Sequence, residues 1–206
     1  MSLDTFLLYL TAWTLIALSP GPAVLFAMSQ AARHGMPGAA AGTAGILVGH
    51  VVCFGLVALG LAALLAGVNG AMTVIRIAGA LYLMYLGVRM ILSKPRETAA
   101  VPVAAERKAH GGIALQGLLV QLTNPKNLLF VLALLPQFIA PDRPLLPQLA
   151  IMLMVTVVID AICLLAYAQI AARGARALKG SRVVVWLERT LGAALIVFGV
   201  KLIASK

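Results

Sequence analysis

Apolar residues fall along this chain in long blocks, not in the strict alternation of a half-buried strand. Six blocks stand out, at about 3–32, 38–66, 71–92, 113–139, 146–172 and 184–204. Each reaches the length of about 20 residues that a helix needs to cross hydrocarbon. The pattern predicts an all-α integral membrane protein with six transmembrane helices. One long polar stretch, 93–112 (SKPRETAAVPVAAERKAHGG), divides three spans in 1–92 from three in 113–206. It reads as a flexible basic linker.

The first and fourth blocks are the longest, and each is interrupted. The first carries Ser19-Pro20-Gly21-Pro22, and the fourth carries Thr123-Asn124-Pro125-Lys126. Proline has no backbone donor and its ring crowds the preceding turn. Lipid offers no water to satisfy what such a break exposes, so irregular backbone at membrane depth must be lined by protein or by a wet cavity.

Composition agrees with a membrane chain. Of the 206 residues, 62% are hydrophobic and 11% charged. Soluble domains carry about a quarter charged residues. The net charge of +10 has no aromatic-interleaved basic face behind it, so nucleic acid is not an expected partner. The charges read as loop anchors. With the N-terminus outside, 11 of the 16 Lys and Arg fall on the inner side and four on the outer, with Lys126 left inside the fourth span. The excess of positive charge inside predicts that both termini lie outside. MSLD lacks Lys and Arg, and the block after it is too long for a leader, so no cleavable signal is expected. Cys53 and Cys163 both lie in apolar blocks and do not suggest a disulfide scaffold.

The two halves resemble each other. Arg76 to Val88 matches Arg189 to Val200, with Gly-Ala three residues after the Arg and Gly-Val near the end. His50 to Cys53 (HVVC) faces Asp160 to Cys163 (DAIC) at an offset of 110, and Pro20 faces Pro125 at 105. An odd number of spans per half turns the second half upside down. The prediction is two inverted three-helix repeats, the first helix of each broken at a Pro motif, with a solute site near the midplane.

The breaks suggest what that site holds. A half-helix starting at Pro22 or Pro125 aims free N–H groups inward and favours an anion. A half-helix ending near Ser19 or Thr123 offers carbonyls to a cation. Together they suit a zwitterion. Three ionisable residues lie deep in the spans: His50, Lys126 and Asp160. Buried charges of this kind mark a pathway by default. The expected roles are Lys126 for a carboxylate, Asp160 for an ammonium or a proton, and His50 for a proton. A structural Lys126–Asp160 ion pair and a packing role for His50 stand as the bland alternatives. Gly42, Gly45 and Gly49 allow close packing against the broken helices. Met28 and Phe130 are candidate apolar walls. The oligomeric state is left open, a homodimer included.

Two other functions compete. His50, Cys53, Asp160 and Cys163 are the right donors for a soft divalent metal such as Cd²⁺ or Zn²⁺ in an efflux site. A membrane thiol–disulfide carrier would need an accessible low-pKa cysteine, and neither break contains one. No enzyme activity and no resident cofactor are expected.

SPGP in the first span, Arg33-His34-Gly35 before the glycine-rich second span, and NPKNLLFVLALLPQF in the fourth resemble the LysE/RhtB family of amino-acid exporters. The resemblance covers nearly the whole chain. It implies an inner-membrane exporter of amino acids or related solutes driven by an ion gradient. By the same resemblance Pro20, Gly21, Pro22, Asn124, Pro125 and Lys126 belong to the signature motifs, and Asp160 stands at the family's acidic position in the fifth span.

Overall fold

A computed structural model describes residues 1–67, 77, 81, 84–85, 88, 91–92, 110–124, 126–127, 130–131, 135–140, 142–173, 189–190, 193, 196–197 and 200. Every regular element among them is helical. Apart from isolated positions, the expected spans 71–92 and 184–204 lie outside the described residues, as do Pro125 and linker residues 93–109.

Helix α1 spans Leu3–Leu18. Ser2 caps it, its hydroxyl accepting the Thr5 N–H at 3.2 Å, and Asp4 adds a negative charge to the first turn, where the helix dipole favours one. Tyr9, Ala12, Trp13 and Ile16 form the buried stripe, while Leu7, Leu8 and Leu18 face outward. The larger, partly polar rings are inside and the leucines outside. That is the order expected where lipid is as apolar as leucine and packing, not hydrophobic burial, holds helices together.

Helix α2 spans Pro22–Gly67 and is two arms joined at Gly35. Gly35 has φ 68 and ψ −170, a conformation essentially restricted to glycine. Pro37 follows in the first turn of the second arm, where its missing donor costs nothing. The turn falls where the sequence separates spans 3–32 and 38–66.

Helix α3 spans His110–Leu122. It begins three residues inside the predicted linker, so His110, Gly111 and Gly112 belong to the helix. Its inner face lies directly on the second arm of α2. A Cβ on Gly45 would collide with the Ala114 carbonyl, one on Gly117 with the Gly42 carbonyl, and one on Gly49 would lie 2.7 Å from Gln121 Cβ. Gly42 lies against Ile113 and Gly117, Gly45 against Ala114 and Leu118, and Gly49 against Leu118 and Gln121, an ascending series that makes the second arm and α3 parallel. Beyond the second break a 3-10 turn at Leu135–Phe138 leads into a loop. Gln148 satisfies that loop: its Oε1 accepts from Ala140 N at 2.9 Å, and its Nε2 donates to the Ala140, Arg143 and Pro144 carbonyls.

Helix α4 spans Leu145–Ala172, within one residue of the predicted fifth span. Two buried contacts lock it to α1: Tyr9 Oη to Thr156 Oγ1 at 2.6 Å, and Trp13 Nε1 to Asp160 Oδ1 at 2.9 Å. Each joins residues 147 apart, so α1 and α4 also run parallel.

Candidate functional site

Both breaks are junctions of helix ends. The last carbonyls of a helix have no partner within it. At the end of α1 those of Ile16, Leu18 and Ser19 find one. Ser19 N–H donates to Ile16 O at 3.0 Å. The Tyr167 hydroxyl donates to Leu18 O at 2.7 Å. The Lys126 ammonium donates to Ile16 O at 3.0 Å and to Ser19 O at 2.8 Å. A cation at a helix C-terminus is favoured by the dipole, and Lys126 supplies it from 107 residues away. The carbonyls near Ser19, expected to be open to a cation, are thus occupied by one of the protein's own.

At the second break Thr123 closes α3, its hydroxyl donating to Leu119 O at 2.7 Å. Asn124 Oδ1 then accepts the Lys126 N–H at 3.1 Å, the N-cap bond of the helical residues that follow. Gly21 plays the matching part at the first break, where its carbonyl accepts the Leu25 N–H at 2.9 Å. Each break thus carries a cap, Gly21 at the first and Asn124 at the second.

Asp160 is the second centre. One carboxylate oxygen accepts from Trp13 Nε1, and the other lies 2.6 Å from His50 Nε2. His50 is 1% exposed and the Asp160 side chain 14%. The Gln121 amide nitrogen lies against both ring nitrogens, 2.9 Å from Nε2 and 3.2 Å from Nδ1. With a proton on Nε2 directed at Asp160, Nδ1 is the ring's acceptor and the Gln121 amide its donor. Trp13 is held by edge-on contacts with His50 and Phe130, at centroid distances of 5.5 and 5.3 Å. Asp160 takes its close side-chain partner from His50, while the Lys126 ammonium is drawn onto the α1 carbonyls.

One cavity of about 50 Å³ joins the two centres. Of the residues expected at the site, Ser19, Gly21, Asn124, Lys126 and Asp160 line it. Pro20, Pro22 and Thr123 shape the breaks without lining the cavity, and His50 sits behind Asp160. Phe130 forms one wall. Met28 does not; it packs with the cluster of Val24, Phe26 and Ala27.

Trp13, Gln121 and Asn127 also line the cavity, and none was anticipated. Their signal was present: an indole N–H and two amides inside apolar blocks need partners.

The four residues weighed for a soft metal do not converge. His50 and Asp160 meet, but Cys53 Sγ is turned to Asn127 Nδ2 at 3.7 Å. Among the described residues no group of three or more His, Cys, Asp or Glu is placed to hold a metal ion. Both cysteines are free thiols.

Long apolar helices, two of them broken around a cavity with a buried acid and a lysine, define a membrane transport protein. Comparison with known proteins names the family. Residues 14–206 match the LysE type translocators, and the chain belongs to that family. It is 33% identical over 208 residues to a homoserine/homoserine lactone efflux protein of Salmonella typhi, covering 100% of this chain and 99% of that one. It is 32% identical over 208 residues to the protein of the same description in Salmonella typhimurium strain LT2, with the same coverage. It is 30% identical over 210 residues to an uncharacterized membrane protein of Vibrio cholerae, with both chains fully covered. No solved structure matches the chain.

Proposed function

We propose that this translocator is a proton-coupled exporter of small amino acids and related solutes across the bacterial inner membrane, with homoserine-like compounds as the substrate class. The observation that carries the reading is one cavity lined by both Lys126 and Asp160 at the meeting point of two helix breaks. Lys126 and the N–H groups that open α2 receive the carboxylate. Asp160 and the α1 carbonyls receive the ammonium. His50, hydrogen-bonded to Asp160, passes the coupling proton to and from the acid.

The size of the cavity supports alternating access. One water occupies about 10–15 Å³ on the same measure, so about 50 Å³ holds a few waters and no amino acid. The site must widen to load. Two inverted three-helix halves, 1–92 and 113–206, rocking about the breaks supply the motion, with both termini in the periplasm. The contact between His50 and Asp160 supports this arrangement. They are equivalent positions of the sequence repeat, and equivalent positions touch where a two-fold axis passes between them.

The test is efflux from cells preloaded with dipeptides, so that peptidases release a panel of amino acids inside. Wild type and Lys126→Ala are compared at equal membrane levels, with and without a protonophore. The reading expects one or a few amino acids to leave through wild type, to be retained by the variant, and to be retained when the gradient is collapsed. Unchanged efflux of the whole panel in all arms would remove it.

A further inference from the structure

We propose that Lys126 is a tethered surrogate for the substrate's ammonium: its side chain occupies the carbonyl cage at the end of α1 until an incoming ammonium displaces it. The inference rests on the exporter reading and specifies how its site chooses cargo. Nζ donates to Ile16 O and Ser19 O at 3.0 and 2.8 Å. The stem runs beside Gly21; a Cβ there would stand in ordinary contact with it, 3.4 Å from Lys126 Cδ and 3.7 Å from Nζ.

The chemistry of the cage is that of a primary ammonium receptor. A lysine Nζ and an α-ammonium are the same group, a compact cation with three donors on one carbon. Backbone carbonyls at a helix C-terminus recognise charge and donor geometry, so whatever holds Lys126 there also holds the amine of an amino acid. Asp160 lines the same cavity.

Displacement turns a competitor into a receptor. An amino acid that takes the carbonyls releases Lys126, and the released ammonium meets the substrate's own carboxylate. A zwitterion therefore repays the exchange. An amine without a carboxylate must displace Lys126 and receives nothing for it. A carboxylate without an amine finds the lysine already engaged. The device also keeps the empty cage from being filled by other cations.

The experiment measures equilibrium binding to the purified full-length protein by calorimetry, with homoserine, homoserine lactone and N-acetylhomoserine as probes. The comparison is wild type against Lys126→Met, which keeps an unbranched stem without the charge. If the cage is nine-tenths occupied by Lys126, removing the competitor tightens the lactone by about tenfold. Homoserine weakens in the same variant, and N-acetylhomoserine binds neither form. A lactone affinity that is unchanged or weaker, beside weakened homoserine, makes Lys126 a plain carboxylate anchor and overturns the proposal. Should the variant fail to insert or bind nothing, wild type decides. Saturating lactone is expected to raise acetylation of Lys126 by acetic anhydride, read by mass spectrometry, because the amine is released. Unchanged or reduced acetylation overturns the proposal. Wild type that binds none of the probes and exports no amino acid is a separate result, which overturns the exporter reading and the surrogate with it.

Discussion

His50 and Asp160 stand 110 residues apart in the chain and touch, Nε2 to Oδ2 at 2.6 Å. The pair is nearly closed off from solvent. Breaking a buried pair by removing one partner costs far more than the pair contributes, because the other charge is left uncompensated. The contact is therefore a demanding point in the molecule, and Trp13 and Gln121 support it from the Asp160 and His50 sides.

Asp160→Asn keeps the shape of the acid and removes its charge. A hydrogen bond to a charged group contributes about 1.5–3 kcal/mol, and Asp160 accepts two. Gradient-driven efflux is expected to fall by roughly 10- to 100-fold per bond weakened. Exchange of labelled for unlabelled substrate, which needs no net proton movement, is expected to survive better. Equal loss in both assays would place Asp160 in substrate binding alone.

Trp13→Phe removes the indole donor and keeps a ring between His50 and Phe130. The acceptor on Asp160 loses one of its partners. A loss of about 1.5–3 kcal/mol in unfolding stability is expected, against about 3–5 kcal/mol for Trp13→Ala, which also opens a cavity. Denaturation of the two variants in the same detergent separates the bond from the packing.

Tyr9 and Thr156 make a buried hydroxyl pair at 2.6 Å. Tyr9→Phe and Thr156→Val each leave a partner unmatched, while the double variant removes both polar groups. The cycle should return a coupling of about 0.5–1.7 kcal/mol, the range found for hydrogen bonds between membrane helices. A coupling of zero would show that the α1–α4 register is held by other contacts.

Gly45→Ala drives a methyl group into the Ala114 carbonyl, a backbone atom that cannot rotate away. Overpacking of this kind costs about 1–3 kcal/mol, and the α2–α3 crossing is expected to separate or the protein to fail quality control. Gly55→Ala is the control. Nothing lies within 4 Å of that position, and exchange of Gly for Ala in a helix is worth about 0.5–1 kcal/mol in its favour. Membrane levels and thermal stability of the two variants are expected to move in opposite directions.

Gly35 joins the arms of α2 at φ 68. Gly35→Ala forces a side chain into that conformation at a cost of about 1–3 kcal/mol. Lower melting temperature with substrate specificity intact is the expected result, since the turn is remote from the cavity.

The elements that local chemistry controls were legible in the chain. Span length follows from bilayer thickness, and the fifth span was placed within a residue of α4. Both breaks were legible because proline lacks a donor wherever it stands. So were the deep ionisable residues, since so few occur. Their partners were not. Lys126 was weighed against Asp160, yet it reaches Ile16 and Ser19; Asp160 turns to His50 and Trp13; Cys53 turns to Asn127. Each of these contacts spans roughly a hundred residues or more, apart from Cys53–Asn127, which spans 74, and depends on how each helix is rotated about its axis. In a soluble protein an apolar stripe announces that rotation. In lipid both faces are apolar, and the inner one is marked only by scattered glycines, rings and amides. The sequence by itself determined a membrane translocator with broken spans and the few ionisable residues deep within them; the rotation and register of the packed helices decided what those residues meet.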